Sequence, residues 1–161
     1  AQGVKIRKLQ YGDQFNQGGA SITVVSPPPG IENTGAPRNN DSLGLKINFG
    51  NHAFLLAGDA ERRIEDELAF DPSIGKIDVL KVSHHGGRTS TTEALLQQTR
   101  PAFALISAGL WNRYGHPHPE VLERLSHSKT AVLRTDQDGR ITIRSNGKQL
   151  AMETYKWTKT R

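Results

Sequence analysis

The chain has 161 residues, of which 21 are Lys or Arg and 16 are Asp or Glu, giving a formal net charge of +5 at pH 7. It contains no cysteine, which excludes disulfides, thiolate zinc sites and cysteine nucleophiles, so any metal must be held by His, Asp and Glu. No apolar run approaches the roughly 18 residues of a membrane-spanning helix, and the amino-terminal residues lack the order of a signal peptide. The basic excess favours an anionic partner such as nucleic acid, although many basic proteins bind no polyanion.

The first part of the chain predicts strands joined by turns. Alternating apolar and basic residues predict a half-buried strand over 4–9, and a second strand follows over 20–25. The segment 26–41, SPPPGIENTGAPRNND, is dense in Pro, Gly and Asn and predicts a long surface loop. Two β-prone runs, at 43–49 and 52–58, flank a short polar turn and predict a hairpin.

Further along, the pattern alternates between strand and helix. Ser90 and Glu93 fit a capping box at the start of one helix, and Pro119 suits the first turn of another. The predicted strands are 52–58, 76–82 and 102–107, and the helices that follow them are 60–70, 90–99 and 119–126. The chain then closes with the strands AVLRT, GRITIRS and KQLAMETYKW.

This order predicts an α/β fold in which a mixed sheet is covered by helices on one face. Residues 1–161 are expected to form a single domain, in which 26–41 is a long loop and 150–161 is a tail. The end of the tail, YKWTKTR, has two interpretations. It could stack on and neutralise nucleic acid, or it could be an edge strand guarded by Lys156 and Lys159.

Polar side chains follow each of the three strands that lead into helices. Asp59 follows the first strand, His84 and His85 follow the second, and His116 and His118 follow the third. Strand-end loops on one edge of a layered α/β sheet converge on one region. We therefore expect these side chains to share a site.

Each of these residues also has a structural interpretation. An aspartate between a strand and a helix is most often a helix N-cap, and this is the more frequent role for Asp59 taken alone. Function is favoured for the histidine pair, because Gly86 and Gly87 follow it where the backbone must approach something closely. The His-x-His spacing at 116 and 118 is a weak metal signal, since the prolines beside it also suit a rigid turn.

Four blocks of the sequence resemble the metallo-β-lactamase-type domain of the ComEC family of DNA-internalisation competence proteins. In chain order they are NNDSLGLKINFGNHAFLLAGDAERRIEDEL, DVLKVSHHGGRTSTTEALL, ALISAGLWNRYGHPHPEVLERL and RTDQDGRITI. The resemblance covers roughly residues 15–145 and implies a metallo-β-lactamase-like layered fold. The main metal motif of that family, His-x-(His or Asp)-x-Asp-His, does not occur in the sequence. The chain therefore resembles the C-terminal half of the domain.

The resemblance implies a role for individual residues. Asp59 matches the aspartate that bridges two metal ions. Of the two neighbouring histidines, His85 is favoured as a metal ligand, and His84 is a second ligand or a proton donor. His116 is expected near the phosphate, where it would act in catalysis together with His84. The residues expected to bind the substrate are Asn112, Tyr114 and Arg88.

The activity that the resemblance implies is metal-dependent hydrolysis of phosphodiester bonds in incoming DNA during bacterial transformation. The divalent metal, zinc or manganese, needs about four ligands. We therefore expect this chain by itself to bind the metal weakly or not at all and to be inactive without the missing motif. Two alternatives remain open: a non-catalytic nucleic-acid-binding module, and a metallo-hydrolase acting on another phosphoester or on a lactam.

The resemblance also implies partners and a location. The expected partners are DNA, single-stranded DNA in particular, and the remainder of a membrane-embedded channel protein. Half of a sandwich fold would expose an apolar sheet face, so self-association is a further expectation. The implied location is the extracytoplasmic side of a membrane, as a soluble domain of a membrane-anchored parent.

Overall fold

The computed structural model describes residue 3 and residues 6–30 and 38–156, and within them it shows a layered α/β fold. The strands of the main sheet are β1 (Gln14–Gln17), β2 (Ala20–Ser26), β3 (Gly44–Phe49), β4 (His52–Leu56), β5 (Val79–Lys81), β6 (Phe103–Ile106) and β7 (Ala131–Arg134). They lie side by side in chain order. Pairing is antiparallel from β1 to β4 and parallel from β4 to β7. The predicted α/β class with a mixed sheet is confirmed.

The helices lie between the parallel strands and just after them. They are α1 (Arg62–Phe70), α2 (Glu93–Thr99), α3 (Pro119–His127) and the single turn α4 (Thr135–Asp138). Parallel strands require such crossover connections, whereas β1 to β4 are joined as antiparallel neighbours. No helix among the described residues is both long and apolar enough to cross a membrane.

One apolar core joins the helices to the sheet. The sheet contributes fully buried side chains such as Leu55, Leu80 and Ile106, and the helices contribute Ile64 and Leu125 among others. Since side chains alternate across a strand, these sheet residues all lie on the face that the helices cover. Removal of this apolar surface from water is the main stabilising contribution to the fold.

The opposite face of the main sheet is only partly covered. Strands β8 (Arg140–Ser145) and β9 (Leu150–Tyr155) form a separate hairpin, which contributes Ile143 to an apolar groove of about 330 Å³. The sheet side of this groove is lined by Ile47, Phe54, Leu56, Val79, Lys81 and Leu105. Leu56 is 38% exposed there. This is the kind of apolar face that the resemblance implies, and self-association through it stays a prediction.

The β8–β9 hairpin is attached to the turn between β3 and β4 by short polar contacts. The N–H of Asn51 donates to the carbonyl of Gly147 at 2.7 Å, and Nδ1 of His52 lies 2.7 Å from Oγ of Ser145. A Cβ on Gly50 would collide with the backbone of Gly147. Glycine is therefore required for this close approach.

Two local predictions are wrong. Residues 4 and 5 of the strand predicted over 4–9 lie outside the described residues, and residues 6–9 form no strand. Ile6 is 91% exposed, because an alternating pattern is not sufficient without a neighbouring strand to pair with. Ser90 is not the cap of α2, since its hydroxyl donates to the carbonyls of Ser83 and Gly87. The cap is Thr92, whose Oγ1 accepts a hydrogen bond from the N–H of Leu95.

The predicted loop and tail are described only in part. Residues 31–37 of the loop 26–41 lie outside the described residues, and residues 39–41 form a short 3-10 turn. In the tail 150–161, β9 forms the strand that its pattern predicts, and residues 157–161 again lie outside the described part.

A buried carboxylate connects α1 to the start of α2. Glu65 is fully buried, and its two oxygens accept the N–H groups of Thr91 at 2.8 Å and Thr92 at 2.7 Å. Burial raises the pKa of Glu65, and the two backbone N–H donors oppose this rise. The carboxylate thereby satisfies N–H groups at a helix start that have no partner within the helix.

Replacement of Glu65 by Ala should destabilise the fold strongly. It would leave two buried N–H groups without acceptors, so we expect the free energy of unfolding to fall by roughly 2–5 kcal/mol. Glu65→Gln retains one acceptor oxygen and should give an intermediate loss. Urea denaturation monitored by circular dichroism measures this, with Glu67→Ala on the exposed side of α1 as the matched control. Equal effects of Glu65→Ala and Glu67→Ala would contradict the anchoring role.

Candidate functional site

The parallel strands bring the predicted site residues to one edge of the sheet. Asp59 follows β4, His84 and His85 follow β5, and His116 lies in the connection after β6. Because these strands are parallel neighbours, their carboxyl ends meet at the same edge. The contacts described below show that the four side chains are indeed close together.

The turn that carries the histidine pair has a rare backbone conformation. His84 and His85 have φ of 47° and 56°, and Gly86 follows at 83°. The left-handed conformation costs roughly 1–2 kcal/mol for each residue other than glycine. Contacts hold the turn in place: the N–H of His84 donates to the carbonyl of Gly58 at 3.0 Å, and the carbonyl of Gly86 accepts from the N–H of His118 at 2.9 Å. Backbone strain of this kind is concentrated at functional sites.

The two glycines after the pair are closely packed, and Gly86 is required by its contact and its positive φ. A Cβ on Gly86 would lie 2.6 Å from Cβ of Pro117, and one on Gly87 would lie 3.0 Å from Nδ1 of His84. The close backbone approach predicted from this glycine pair is therefore confirmed. It packs the histidine turn directly against the loop that carries His116.

Asp59 and His85 face each other across a short gap. Nε2 of His85 lies 3.6 Å from Oδ1 of Asp59, and both side chains are about half exposed. Nδ1 of His85 donates to the carbonyl of Ser107 at 2.7 Å, so Nε2 carries the lone pair in the neutral ring. A lone pair and a carboxylate oxygen repel each other, so this arrangement favours a proton or a cation between them. A second ring nitrogen bound to a backbone carbonyl is typical of histidines that bind metal.

Asp59 does not cap α1. The N-cap residue of this helix is Glu61, and no side chain makes a capping hydrogen bond there. The backbone N–H of Asp59 is instead held by Oγ of Ser42 at 3.0 Å. The N-cap interpretation of Asp59 is wrong, and its carboxylate is free to face His85.

His84 connects a second carboxylate to the histidines of the neighbouring loop. Its Nδ1 lies 3.5 Å from Oε1 of Glu61, and its ring centroid lies 5.4 Å from that of His116. His116 is also flanked by Tyr114 at 5.8 Å and His118 at 5.2 Å. Sequence reasoning missed Glu61, because nothing in its spacing distinguishes it from the acidic residues that follow it on α1.

The surroundings of His116 change its protonation. Burial lowers the pKa of His116 below its ordinary value of 6.5, and the imidazoles of His84, His118 and His85 lower it further. Asp59 has the opposite, smaller effect. His116 is therefore mostly neutral at pH 7, which is the state in which an imidazole accepts a proton.

Lys81 adds a positive charge close to Asp59, and sequence reasoning missed this too. The lysine is half-buried at the end of β5, and its Nζ donates to the carbonyl of Val82 at 2.8 Å. Burial lowers the pKa of Lys81, and the charge of Asp59 opposes that shift.

Asn112 organises the loop that carries His116. Its Nδ2 donates to the carbonyls of Gly109 at 2.9 Å and His116 at 2.7 Å, and its Oδ1 accepts the N–H of His116 at 2.8 Å. These contacts make Asn112 a positioning residue for His116. The amide has few hydrogen bonds left for a substrate, so direct substrate binding by Asn112 stays a prediction.

The other two predicted substrate-binding residues lie on the surface near the cluster. Tyr114 lines a cleft of about 340 Å³ together with His85, Ser107, Asn112 and His116. Arg88 continues the histidine turn, and its Nε lies 3.2 Å from Oε1 of Glu120 in an exposed ion pair. Such exposed pairs are weak, so Arg88 can exchange this partner for an anion.

The described residues do not form a complete metal site. Among them, no three His, Asp or Glu side chains converge as ligands of a common ion. Asp59 and His85 supply two of the roughly four donors that zinc or manganese needs. The donor types fit a divalent metal, but their number does not.

Fold and site together define a layered α/β protein with a cleft lined by His85 and His116, next to which Asp59 faces His85. The chain is 40% identical over 155 residues to ComE operon protein 3 of Bacillus subtilis, which covers 96% of this chain. It is 45% identical over 105 residues to Recombination protein 2 of Haemophilus influenzae, covering 65% of the chain. It is 31% identical over 128 residues to Competence protein ComA of Neisseria gonorrhoeae, covering 74% of the chain.

The chain is thus related to the ComEC family of competence proteins, which confirms that part of the resemblance. It spans only 13% to 20% of the length of these three relatives. No protein-family model matches the chain. Its assignment to the metallo-β-lactamase domain stays a prediction.

The protonation of His116 can be measured directly. We expect its imidazole to titrate below pH 6.5 in NMR spectra, and His84→Gln should raise the pKa of His116 because the electrostatic effect of the His84 imidazole is removed. The folded chain binds this proton less tightly than the unfolded chain, so the contribution of His116 to stability falls as the pH decreases through 6.5. Titration of His116 above pH 6.5 would contradict the described surroundings.

Proposed function

We propose that the chain forms one side of a phosphodiesterase site in a DNA-uptake protein. In this proposal, Asp59 and His85 are two donors of a divalent metal site whose remaining donors come from outside the described residues. His84 and His116 transfer protons next to these two donors. The observation that carries the proposal is the lone pair of His85 aimed at the carboxylate of Asp59 across 3.6 Å.

The orientation of His85 supports a ligand role. The carbonyl of Ser107 fixes both the tautomer and the ring plane, so Nε2 is presented to the gap without any rearrangement. The backbone of Asp59 is fixed by the hydrogen bond from its N–H to Oγ of Ser42. A bound divalent metal would act as a Lewis acid on the phosphate and on water. We assign no step to the metal, because the described residues supply only two donors.

The neighbouring imidazoles are suited to proton transfer. His116 is mostly neutral at pH 7 and can accept a proton from the water that attacks phosphorus. His84 packs edge-on against His116 and can return a proton to the leaving oxygen. Asn112 holds His116 through its backbone, and Arg88, whose exposed ion pair with Glu120 is weak, would be available to neutralise phosphate charge.

The choice of DNA as substrate rests on charge and on the relatives. The net charge of +5 favours a polyanion, whose binding releases counterions. The relatives carry the names of competence and recombination proteins. From the resemblance, we further propose that the chain is an extracytoplasmic part of a membrane-anchored channel protein and acts on DNA as it enters the cell.

Calorimetric titration with Mn²⁺ or Zn²⁺ tests the proposed donors. We expect weak binding by the wild-type chain, because two donors are too few for tight binding, and no binding by the double variant Asp59→Ala, His85→Ala. His127→Ala removes an exposed histidine of α3 and serves as the control. Identical titrations for all three proteins would contradict the proposal. Tight binding of two ions by wild type would contradict the incompleteness of the site.

DNA binding with and without metal separates this proposal from a non-catalytic module. Mn²⁺ should tighten the binding of a single-stranded oligonucleotide to wild type and should leave the affinity of the double variant unchanged. Fluorescence anisotropy at several salt concentrations measures both effects and the number of phosphate contacts. Equal affinities of the two proteins under all conditions would favour a nucleic-acid-binding module without catalysis.

A further inference from the structure

Large apolar side chains are exposed on the loop beside the cleft. Trp111 is 91% exposed, Leu110 is 62% exposed and Tyr114 is 61% exposed. All three belong to the connection between β6 and α3, residues 107–118, which we call the aromatic loop. Contact of a tryptophan ring with water is unfavourable in free energy. A group of large apolar side chains that are exposed together is typical of an interaction surface.

Hydrogen bonds hold the aromatic loop in one conformation. Beyond its side-chain contacts, Asn112 donates its N–H to the carbonyl of Gly109 at 3.3 Å, and its own carbonyl accepts the N–H of Gly115 at 3.4 Å. Trp111 is therefore presented by a pre-formed turn. A partner that binds it does not have to order the loop, which favours affinity.

Planar groups lead from the surface into the cleft. The guanidinium carbon of Arg113 lies 5.0 Å from the ring centroid of Tyr114, and its Nη2 donates to the Tyr114 hydroxyl at 2.8 Å. The Tyr114 ring in turn stacks on His116 with an interplanar angle of 28°. A cation, an aromatic ring and an imidazole thus follow one another between the aromatic loop and the cleft.

We infer that the aromatic loop binds single-stranded nucleic acid by stacking Trp111 on an unpaired base, while Arg113 contacts a phosphate of the same strand. The inference rests on the proposed function, since it takes the cleft as the phosphodiester site, and it assigns to the aromatic loop the contact that would recognise an unpaired strand. Aromatic side chains stack on bases whose faces are open, and base pairs within a duplex do not offer such faces.

A lipid surface is the other partner that exposed Trp, Leu and Tyr side chains can fit. The loop interleaves them with Asn112 and Arg113 and borders a cleft lined by the imidazoles of His85 and His116, with the carboxylate of Asp59 3.6 Å from His85. Insertion into a bilayer would remove these polar groups from water at a high cost. A nucleic acid leaves them hydrated and pairs Arg113 with phosphate, so we favour it.

Fluorescence quenching tests the stacking. Trp157→Phe makes Trp111 the only tryptophan of the chain, because the sequence contains two. We expect a short oligothymidylate to quench Trp111 in a saturable manner. An abasic oligomer of equal length and a blunt duplex should cause little quenching.

Trp111→Ala should weaken binding of a labelled oligothymidylate by about 5- to 150-fold. The matched control is Phe70→Ala at the end of α1, where the aromatic ring is 83% exposed and the affinity should not change.

Several results would overturn the inference. These are an absence of quenching, equal binding of the abasic oligomer, or equal losses for Trp111→Ala and Phe70→Ala. A blue shift of Trp111 with phosphatidylglycerol vesicles, without quenching by the oligonucleotide, would assign the loop to a membrane surface. Quenching that persists in the double variant Asp59→Ala, His85→Ala supports the stacking even if the metal titration overturns the phosphodiesterase proposal, so the two failures are distinguishable.

Discussion

The parallel pairing of β4, β5 and β6 is the constraint on which the candidate site depends. Leu56, Lys81 and Leu105 are aligned in register across the three strands, so the strands end at nearly the same level. The chain has to leave each strand at this edge and enter a loop or a helix. Asp59 and the histidine pair are close together for this reason, although 25 residues separate them in the sequence. A shift of one strand would move its polar residues away from the others.

Features that depend on local pattern could be predicted from the sequence. The β3–β4 hairpin, the helices and the convergence of Asp59 with the histidines follow from periodicity, turn residues and chain order. Features that depend on distant contacts could not. Of several acidic residues on α1, only burial distinguishes Glu65 as the one that accepts the N–H of Thr91. Thr92 is the N-cap of α2 because the hydroxyl of Ser90 is hydrogen-bonded elsewhere. These outcomes arise only when α1 and α2 pack together.

Within the described residues, the cleft and the far face of the main sheet both lack groups that would complete them. The metal site proposed above would have two donors in the cleft where about four are needed, and the apolar groove under β8 leaves Leu56 in contact with water. Lys81 belongs to both, since it lines the groove and its charge interacts with that of Asp59. The structure thus combines a well-packed helical layer with a sheet whose second face has much less cover.

The left-handed turn at His84 and His85 lowers the stability of the fold at the two residues to which the proposed function assigns chemical roles. Glycine or asparagine would adopt these backbone angles with less strain than histidine, and the fold would gain from either replacement. A sequence chosen only for thermal resistance would therefore tend to lose its imidazoles at this turn. The two histidines occupy this turn at a conformational disadvantage, so a variant stabilised by replacing them would also lose the side chains to which the proposed function assigns a role.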